Sequence, residues 1–311
     1  MDDTPVAARE WRRAGFWFLA TFACVTGVYA YQNQADLRSP LDPLWFALSF
    51  LSILAVHEAG HYVVARLHGF ELSPPLFIPL PTGFGTLGAV IRLRSLPNSR
   101  QALLEMGAAG PLAGALLAFC IAAVSVPWMR AGAPLPPGTE IAVFNDPPIL
   151  RLLGLWRMGH VPGRYDSYHP ATFGAWAGCL LTAVNLIPVG QFDGGHVLNA
   201  IHPRSARVRT FVVLAVMIVL GWWSHSWWVW AGFVALLGAW RPLPVPESPP
   251  LPLRAWLVAA AVAVVFGLTF MPIPIEIETT PGAAAIGALE VVSPPSAEAS
   301  PIPALDGPAE R

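Results

Sequence analysis

Long apolar runs dominate this chain, and their lengths predict helices that cross a membrane. A spanning helix needs about 20 apolar residues to cross a hydrocarbon core of about 30 Å. Charged residues are rare within the runs that approach this length. These runs cover residues 15 to 31, 43 to 67, 101 to 127, 169 to 189 and 255 to 271.

A further apolar run, from residue 211 to 240, is too long for one spanning helix. As a single helix it would measure about 45 Å at 1.5 Å per residue. The polar sequence Ser224-His225-Ser226 also interrupts it. We therefore predict two short helices joined as a hairpin, which brings the total to about seven spans.

The placement of arginine agrees with this hairpin. Short cytoplasmic loops of membrane proteins carry an excess of basic residues. With a cytoplasmic N-terminus, the arginine clusters at 9–13, 92–100 and 204–209 all fall on the cytoplasmic side. A single helix across 211 to 240 would place Arg209 and Arg241 on opposite sides. We predict a multi-pass protein of the cell membrane with its N-terminus in the cytoplasm.

The segment from Pro74 to Leu93 is apolar but does not have the pattern of a regular helix. Its prolines and glycines would break the helical hydrogen-bond ladder. Irregular backbone persists at membrane depth only where protein or a water-filled cavity covers it. We predict a re-entrant loop with short strands beside a cavity. The predicted fold is an all-α polytopic membrane protein of about six to seven transmembrane helices with a small re-entrant β element.

Composition supports a membrane protein and excludes nucleic acid as a partner. Hydrophobic residues make up 55% of the chain and charged residues 12%, whereas soluble domains average about 25% charged residues. The formal net charge is -1, and no basic cluster is interleaved with aromatic residues as nucleic-acid binding would require. The lipid bilayer is the expected surrounding.

The sequence His57-Glu58-Ala59-Gly60-His61 within the second run predicts a zinc site. Residues four apart share one face of a helix, so both imidazoles can reach one ion while Glu58 addresses a water molecule. Ionisable groups in a lipid-embedded helix are costly and are functional by default. The alternative is that these side chains only form interhelical hydrogen bonds.

Asp193 is the best candidate for a third zinc ligand. Catalytic zinc sites use three protein ligands and leave one position open. Asp193 follows the fourth run, where Pro188 and several glycines would unwind the helix end and turn a carboxylate inward. An ordinary helix exit with a solvated Asp193 is an equally good explanation of the spacing alone. His196, three residues later, would be either a partner of the ligands or a solvated loop histidine.

These residues resemble the site-2 proteases, a family of intramembrane zinc metalloproteases. The family signature pairs HExxH in one helix with NxxPxxxxDG in a later one, and this chain has both, at His57 to His61 and Asn185 to Gly194. The resemblance also takes in GAAGPLAG at 107 to 114. It implies one zinc ion per chain held by His57, His61 and Asp193, Glu58 as general base, and Asn185 as a residue that binds substrate.

The resemblance also implies a division of the chain. Residues 1–42 would be an N-terminal segment with the first helix, 43–200 the catalytic core, 201–272 accessory helices, and 273–311 a disordered Pro/Ala-rich tail. No loop has room for a PDZ domain, so we expect a family member without one.

The expected function is zinc-dependent cleavage of membrane-anchored proteins within or near the bilayer, as in regulated intramembrane proteolysis. His57 precedes Arg66 by nine residues, so the site would lie about 13 Å along the helix from the cytoplasmic edge. Strands near 76 to 92 would pair with an extended substrate. The alternatives are a membrane metal-ion transporter or a non-catalytic metal-binding membrane protein, and the sequence leaves the oligomeric state open.

Overall fold

A computed structural model describes residues 5–34, 37–132, 136, 138–236, 245 and 249–280. Helices predominate in this part of the chain, as predicted. The first three are α1 (Pro5–Gln32), α2 (Asp42–Leu67) and α3 (Arg100–Ser125). Each contains a stretch long and apolar enough to cross a membrane. Three candidate spans are therefore found among the described residues.

The remaining helices are shorter. They are α4 (Pro148–Met158), α5 (Pro170–Asn185), α6 (Asp193–Ile201), α7 (Ala206–Leu220), α8 (Ser226–Leu236) and α9 (Leu253–Thr269). The break between α7 and α8 lies at the predicted polar interruption. Helix α5 ends at Asn185, before the predicted end of its apolar run at residue 189. Helix α4 lies between the third and fourth apolar runs, where we predicted no helix. The count of six to seven spans stays a prediction.

Two small sheets of two strands each accompany the helices in the described residues. Strands β1 (Leu76–Pro79) and β2 (Thr86–Val90) form an antiparallel pair inside the segment predicted to contain short strands, with Leu76 opposite Val90. Strands β3 (Glu140–Phe144) and β4 (Ile275–Thr279) form a second two-stranded sheet.

Strand β4 corrects the predicted start of the disordered tail. Residues 275–279 alternate isoleucine or threonine with glutamate, and this period of two is typical of a strand. The surrounding proline and alanine residues obscured that pattern in the sequence. The rest of the predicted tail, from residue 281 to 311, lies outside the described residues.

The chain divides into two compact units. One comprises residues 1–132 and 143–276, and the other comprises 133–142 and 277–311. The second unit is held by bonds such as that from the Thr280 N–H to the Thr139 carbonyl, 2.9 Å. All of the predicted site residues belong to the first unit.

Helices α2, α3 and α5 form the centre of the first unit. Glycines allow α5 to approach α2 closely. A Cβ at Gly174 would lie 2.7 Å from Ser49 Cβ, and one at Gly178 would lie 2.8 Å from Ile53 Cδ1. Trp176 is fully buried in the same core. The Thr172 hydroxyl donates to Ser125 Oγ across the α3–α5 contact, 2.9 Å. This packing places the HExxH helix between two neighbours.

Candidate active site

Helix α2 presents the two predicted histidine ligands on one face. His57 and His61 are one helical turn apart, and their Nε2 atoms lie 3.2 Å from each other. His57 and Glu58 are buried. The His61 Nδ1 atom lies 2.8 Å from the Met106 carbonyl oxygen of α3. A carbonyl can only accept, so Nδ1 carries the proton and Nε2 keeps its lone pair for a metal ion.

Glycines of α3 make room for these imidazoles. A Cβ at Gly110 would overlap the His61 ring, and one at Gly114 would lie 3.0 Å from His57 Cβ. Gly60 of α2 allows the same approach from the other side, since a Cβ there would lie 2.9 Å from the Ala109 carbonyl carbon. The sequence GAAGPLAG therefore supplies a side-chain-free surface for the metal ligands.

An unwound segment carries Asp193 to the same place. Helix α5 ends at Asn185, residues 186–192 form turns, and Asp193 is the first residue of α6. Gly190 adopts a positive φ of 46° within this segment. A Cβ at Gly194 would overlap the Leu186 carbonyl, so only glycine permits the segment to fold back on the start of α6. This is the inward turn that we predicted for the carboxylate.

The three donor atoms have the spacing that zinc requires. Asp193 Oδ2 lies 3.2 Å from His57 Nε2 and 3.3 Å from His61 Nε2. Tetrahedral coordination with bonds of about 2.0–2.1 Å places ligand atoms about 3.3 Å apart. Among the described residues these three form the group of His, Cys, Asp or Glu side chains that can hold a metal ion. The residues present therefore fit the metal that the sequence motif implies.

The donor atoms open into a cavity of about 520 Å³. Glu58 and Asn185 line it beside the ligands, and the Asn185 amide nitrogen lies 3.3 Å from His57 Nε2. Its apolar wall comes from the segment before β1, from β2 and its continuation, and from α2, α3 and the unwound segment. The residues are Leu72, Ala89, Val90, Ile91, Leu93, Ala65, Met106 and Phe192. Every residue that the sequence predicted for the site lies at this cavity.

Helix α7 is bonded to the segment that carries Asp193. The Arg209 guanidinium donates to the Pro188 carbonyl at 3.0 Å, to Asn199 Oδ1, and to Ser205 Oγ at 3.3 Å. The Gly190 N–H donates to Thr210 Oγ1 at 3.4 Å. These contacts join the start of α7 to the turn that precedes α6 and to α6 itself. No pattern in the sequence predicts these contacts, because they depend on how α7 packs.

The sequence left two alternatives open for His196, as it did for Asp193. It belongs to helix α6, not to a loop, and lines the cavity one turn after Asp193. The reading of His196 as a solvated loop histidine is therefore wrong. Only the helical register, which begins at Asp193, places both side chains on one face.

Glu105 and His68 form a charged cluster that is separate from the cavity lining. The Glu105 carboxylate is 2.8 Å from His68 Nε2 and accepts a bond from Gln101 at 2.7 Å. Arg254 of α9 lies 3.5 Å from the same carboxylate. This cluster links the end of α2 to α3 and α9, and Glu105 is not among the residues that line the cavity.

A second cavity, of about 580 Å³, lies between α4 and residues 270–273. Asp146 and Arg151 are its charged residues. Burial raises the pKa of Asp146, whose Oδ1 accepts a hydrogen bond of 2.6 Å from the Tyr168 hydroxyl. The cavity holds no histidine or cysteine, so its described lining offers no metal site comparable to the first.

Comparison with known proteins decides the family. The model of peptidase family M50 matches residues 45–222, which include both motifs, most of α2 and all of α3 to α7. The chain belongs to peptidase family M50. The resemblance to the site-2 proteases drawn from the paired motifs is thereby confirmed.

Relatives within the M50 family include plant proteins. The chain is 32% identical over 182 residues to "Probable zinc metalloprotease EGY2, chloroplastic" of Oryza sativa subsp. indica, covering 55% of this chain and 32% of that protein. It is 29% identical over 265 residues to the protein of the same description from Arabidopsis thaliana, covering 81% and 47%. The chain thus spans about a third to a half of the length of these relatives.

One solved structure is also similar, the "Site-2 Protease from Methanocaldococcus jannaschii". The likeness covers 76% of this chain and 92% of that one, at 17% identity and a TM-score of 0.39.

Proposed function

We propose that this M50 chain is a zinc-dependent endopeptidase that cleaves membrane-anchored proteins within or next to the bilayer. The observation that carries the proposal is the convergence of three donor atoms from α2 and α6 at 3.2–3.3 Å, with Glu58 lining the same cavity. The plant relatives described as probable zinc metalloproteases support the choice of metal and reaction.

His57, His61 and Asp193 would hold the zinc ion. When bound, zinc acts as a Lewis acid that polarises a carbonyl group and lowers the pKa of water toward about 7. The Met106 carbonyl holds the His61 ring in the orientation and tautomer that coordination needs. Asp193 contributes negative charge, which matches the divalent cation better than a third neutral imidazole would.

Glu58 is the general base of the proposed reaction. It lines the cavity beside the ligands. It takes a proton from the attacking water as the C–O bond forms, and it passes that proton to the nitrogen of the scissile bond as the C–N bond breaks. The products are a carboxylic acid and an amine, and no further reactant is required.

The open edge of β2 and its continuation is suited to bind an extended substrate. The Ser73 N–H donates to the Arg92 carbonyl at 3.0 Å, and the Arg94 N–H donates to the Glu71 carbonyl at 2.8 Å. Backbone groups alternate in direction along a strand, so those of Leu93 point to the opposite edge. Leu93 lines the cavity. A substrate unwound from its helix would pair with this edge and present its carbonyl groups.

The test compares wild type with Glu58→Gln in the purified full chain, with zinc content and cleavage of a single-span model substrate as readouts. Glu58→Gln should keep its zinc and lose activity by about 10²- to 10⁴-fold, the usual contribution of general acid–base catalysis. Glu105→Gln is the matched control, since that residue lies off the cavity and glutamine can still accept from His68. Zinc binding with ion flux but no cleavage by any form would favour the transporter instead.

A further inference from the structure

His196 lies at the cavity but outside the proposed set of ligands and general base. It is one helical turn after Asp193 on α6, so both side chains are on the face that lines the cavity. Nothing in the proposed chemistry so far uses its imidazole. A half-buried histidine beside the proposed zinc ligands needs a physical account, because a ring nitrogen without a hydrogen bond is costly away from water.

The α3 backbone holds this side chain in place. A Cβ at Gly107 would lie 2.8 Å from His196 Cβ and 3.2 Å from the Asp193 carbonyl oxygen. The His196 N–H also donates to the Phe192 carbonyl at 2.9 Å within the first turn of α6. Close contact with α3 therefore leaves the base of the His196 side chain little room to move.

The two ring nitrogens of His196 have different surroundings. Nδ1 is buried, and it has no hydrogen-bond partner within the described part of the chain. The residue as a whole is half-buried and lines the cavity, so its accessible edge, with Nε2, faces the cavity. A neutral imidazole carries one N–H. Placing it on Nε2 avoids burying an unpaired N–H donor, and buried N–H groups without partners are rare.

We propose that His196 is a further catalytic residue, whose Nε2–H donates a hydrogen bond to the carbonyl oxygen of the scissile peptide. This proposal rests on the proposed protease function. Negative charge develops on that oxygen as water attacks, and a preoriented donor in a site shielded from water stabilises the charge. No proton leaves His196, and no covalent bond to it forms, so its tautomer is the same before and after the reaction.

The kinetic test uses the full chain with zinc and a single-span model substrate that the wild type cleaves. His196→Met removes the donor and should lower kcat by about 10²- to 10³-fold, the usual cost of losing one such donor, with KM and zinc content near wild type. His196→Gln keeps a side-chain N–H at similar reach and should recover at least about a tenth of the wild-type kcat. His160→Met, in an exposed loop, is the matched control.

The second test needs no turnover. Nitrogen-15 NMR of the zinc-free full chain in bilayers, with labelled histidine, identifies the His196 signals by their loss in His196→Gln. The neutral Nε2–H tautomer at pH 7 is the expected result. This measurement reads the wild-type protein, so it holds even where His196→Met fails to fold.

The outcomes separate this inference from the proposed function. A kcat for His196→Met within about threefold of wild type, a loss of zinc in that variant, or an Nδ1–H tautomer in the spectrum would each overturn the role of His196. Failure of the wild type to cleave any substrate would instead overturn the proposed function, and the spectrum would still report on the tautomer.

Discussion

Three glycines of α3 stand where the imidazoles of the site lie against that helix. Gly107 faces His196, Gly110 faces His61, and Gly114 faces His57. Residues three and four apart share a helix face, so these glycines form one continuous stripe. Glycine is costly within a helix by roughly 0.5–1 kcal/mol relative to alanine, and close packing of the imidazoles gives a physical reason for it here.

Gly110→Ala should weaken zinc binding by at least about tenfold, within the range for changes around metal ligands. The added Cβ would overlap the His61 ring and displace Nε2 from the other donors. Gly114→Ala should have a smaller effect, because its Cβ would meet His57 at 3.0 Å. Competition with a chromophoric chelator measures the affinity. Gly27→Ala, where a Cβ meets nothing within 4 Å, is the control; equal affinities for Gly110→Ala and wild type would contradict this packing argument.

Helix α7 contributes to the site through contacts with the turn that precedes Asp193. Arg209 binds the Pro188 carbonyl and Asn199 with one guanidinium group. The division of the chain at residue 200 stays a prediction, but these bonds argue for grouping the first turn of α7 with the catalytic core.

Arg209→Met should lower zinc affinity by about tenfold with Glu58 and the histidines intact, because the turn loses its tether and Asp193 loses its fixed position. Arg209→Lys should recover only part of the loss, since an ammonium group cannot reproduce the guanidinium fork. Arg207→Met, an exposed neighbour, is the matched control. Unchanged zinc affinity in Arg209→Met, measured by chelator competition, would show that the turn keeps its shape without α7.

A second prediction at the scale of the elements concerns the strand edge that continues β2, where we propose that the substrate binds. Leu93→Pro removes a backbone N–H from the edge proposed to pair with the substrate, so KM for the single-span model substrate should rise several-fold while zinc content is unchanged. Leu96→Pro, in the exposed loop beyond the edge, is the control. A KM for Leu93→Pro equal to wild type would argue that the substrate does not pair with this strand.

At the scale of the whole molecule, the arginine bias predicts which side each end faces. In a background without Cys24, Cys120 and Cys179, single cysteines at Arg12 and Arg204 should react with a membrane-impermeant maleimide from the cytoplasmic side. A cysteine at Trp156, on α4, should react from the opposite side. Labelling of inside-out and right-side-out vesicles measures this. Reaction of Arg12→Cys and Trp156→Cys from one side would overturn the predicted topology.

Local patterns account for the parts of this protein that the sequence predicted well. The four-residue spacing of His57 and His61 determines a shared helix face wherever α2 packs. Apolar run lengths determine where long helices form, and the polar break at 224–226 separates α7 from α8. The paired motifs determine membership of peptidase family M50, since each depends on residues close together in the chain.

Contacts between distant segments decided the rest. The spacing around Asp193 suited a ligand and a solvated helix exit equally well, and only the folding of residues 186–192 against α6 brought its carboxylate to 3.2–3.3 Å from both histidines. The same packing gave His196 and Arg209 their places. Such contacts join residues more than a hundred positions apart or set helix against helix, so no local period in the sequence records them.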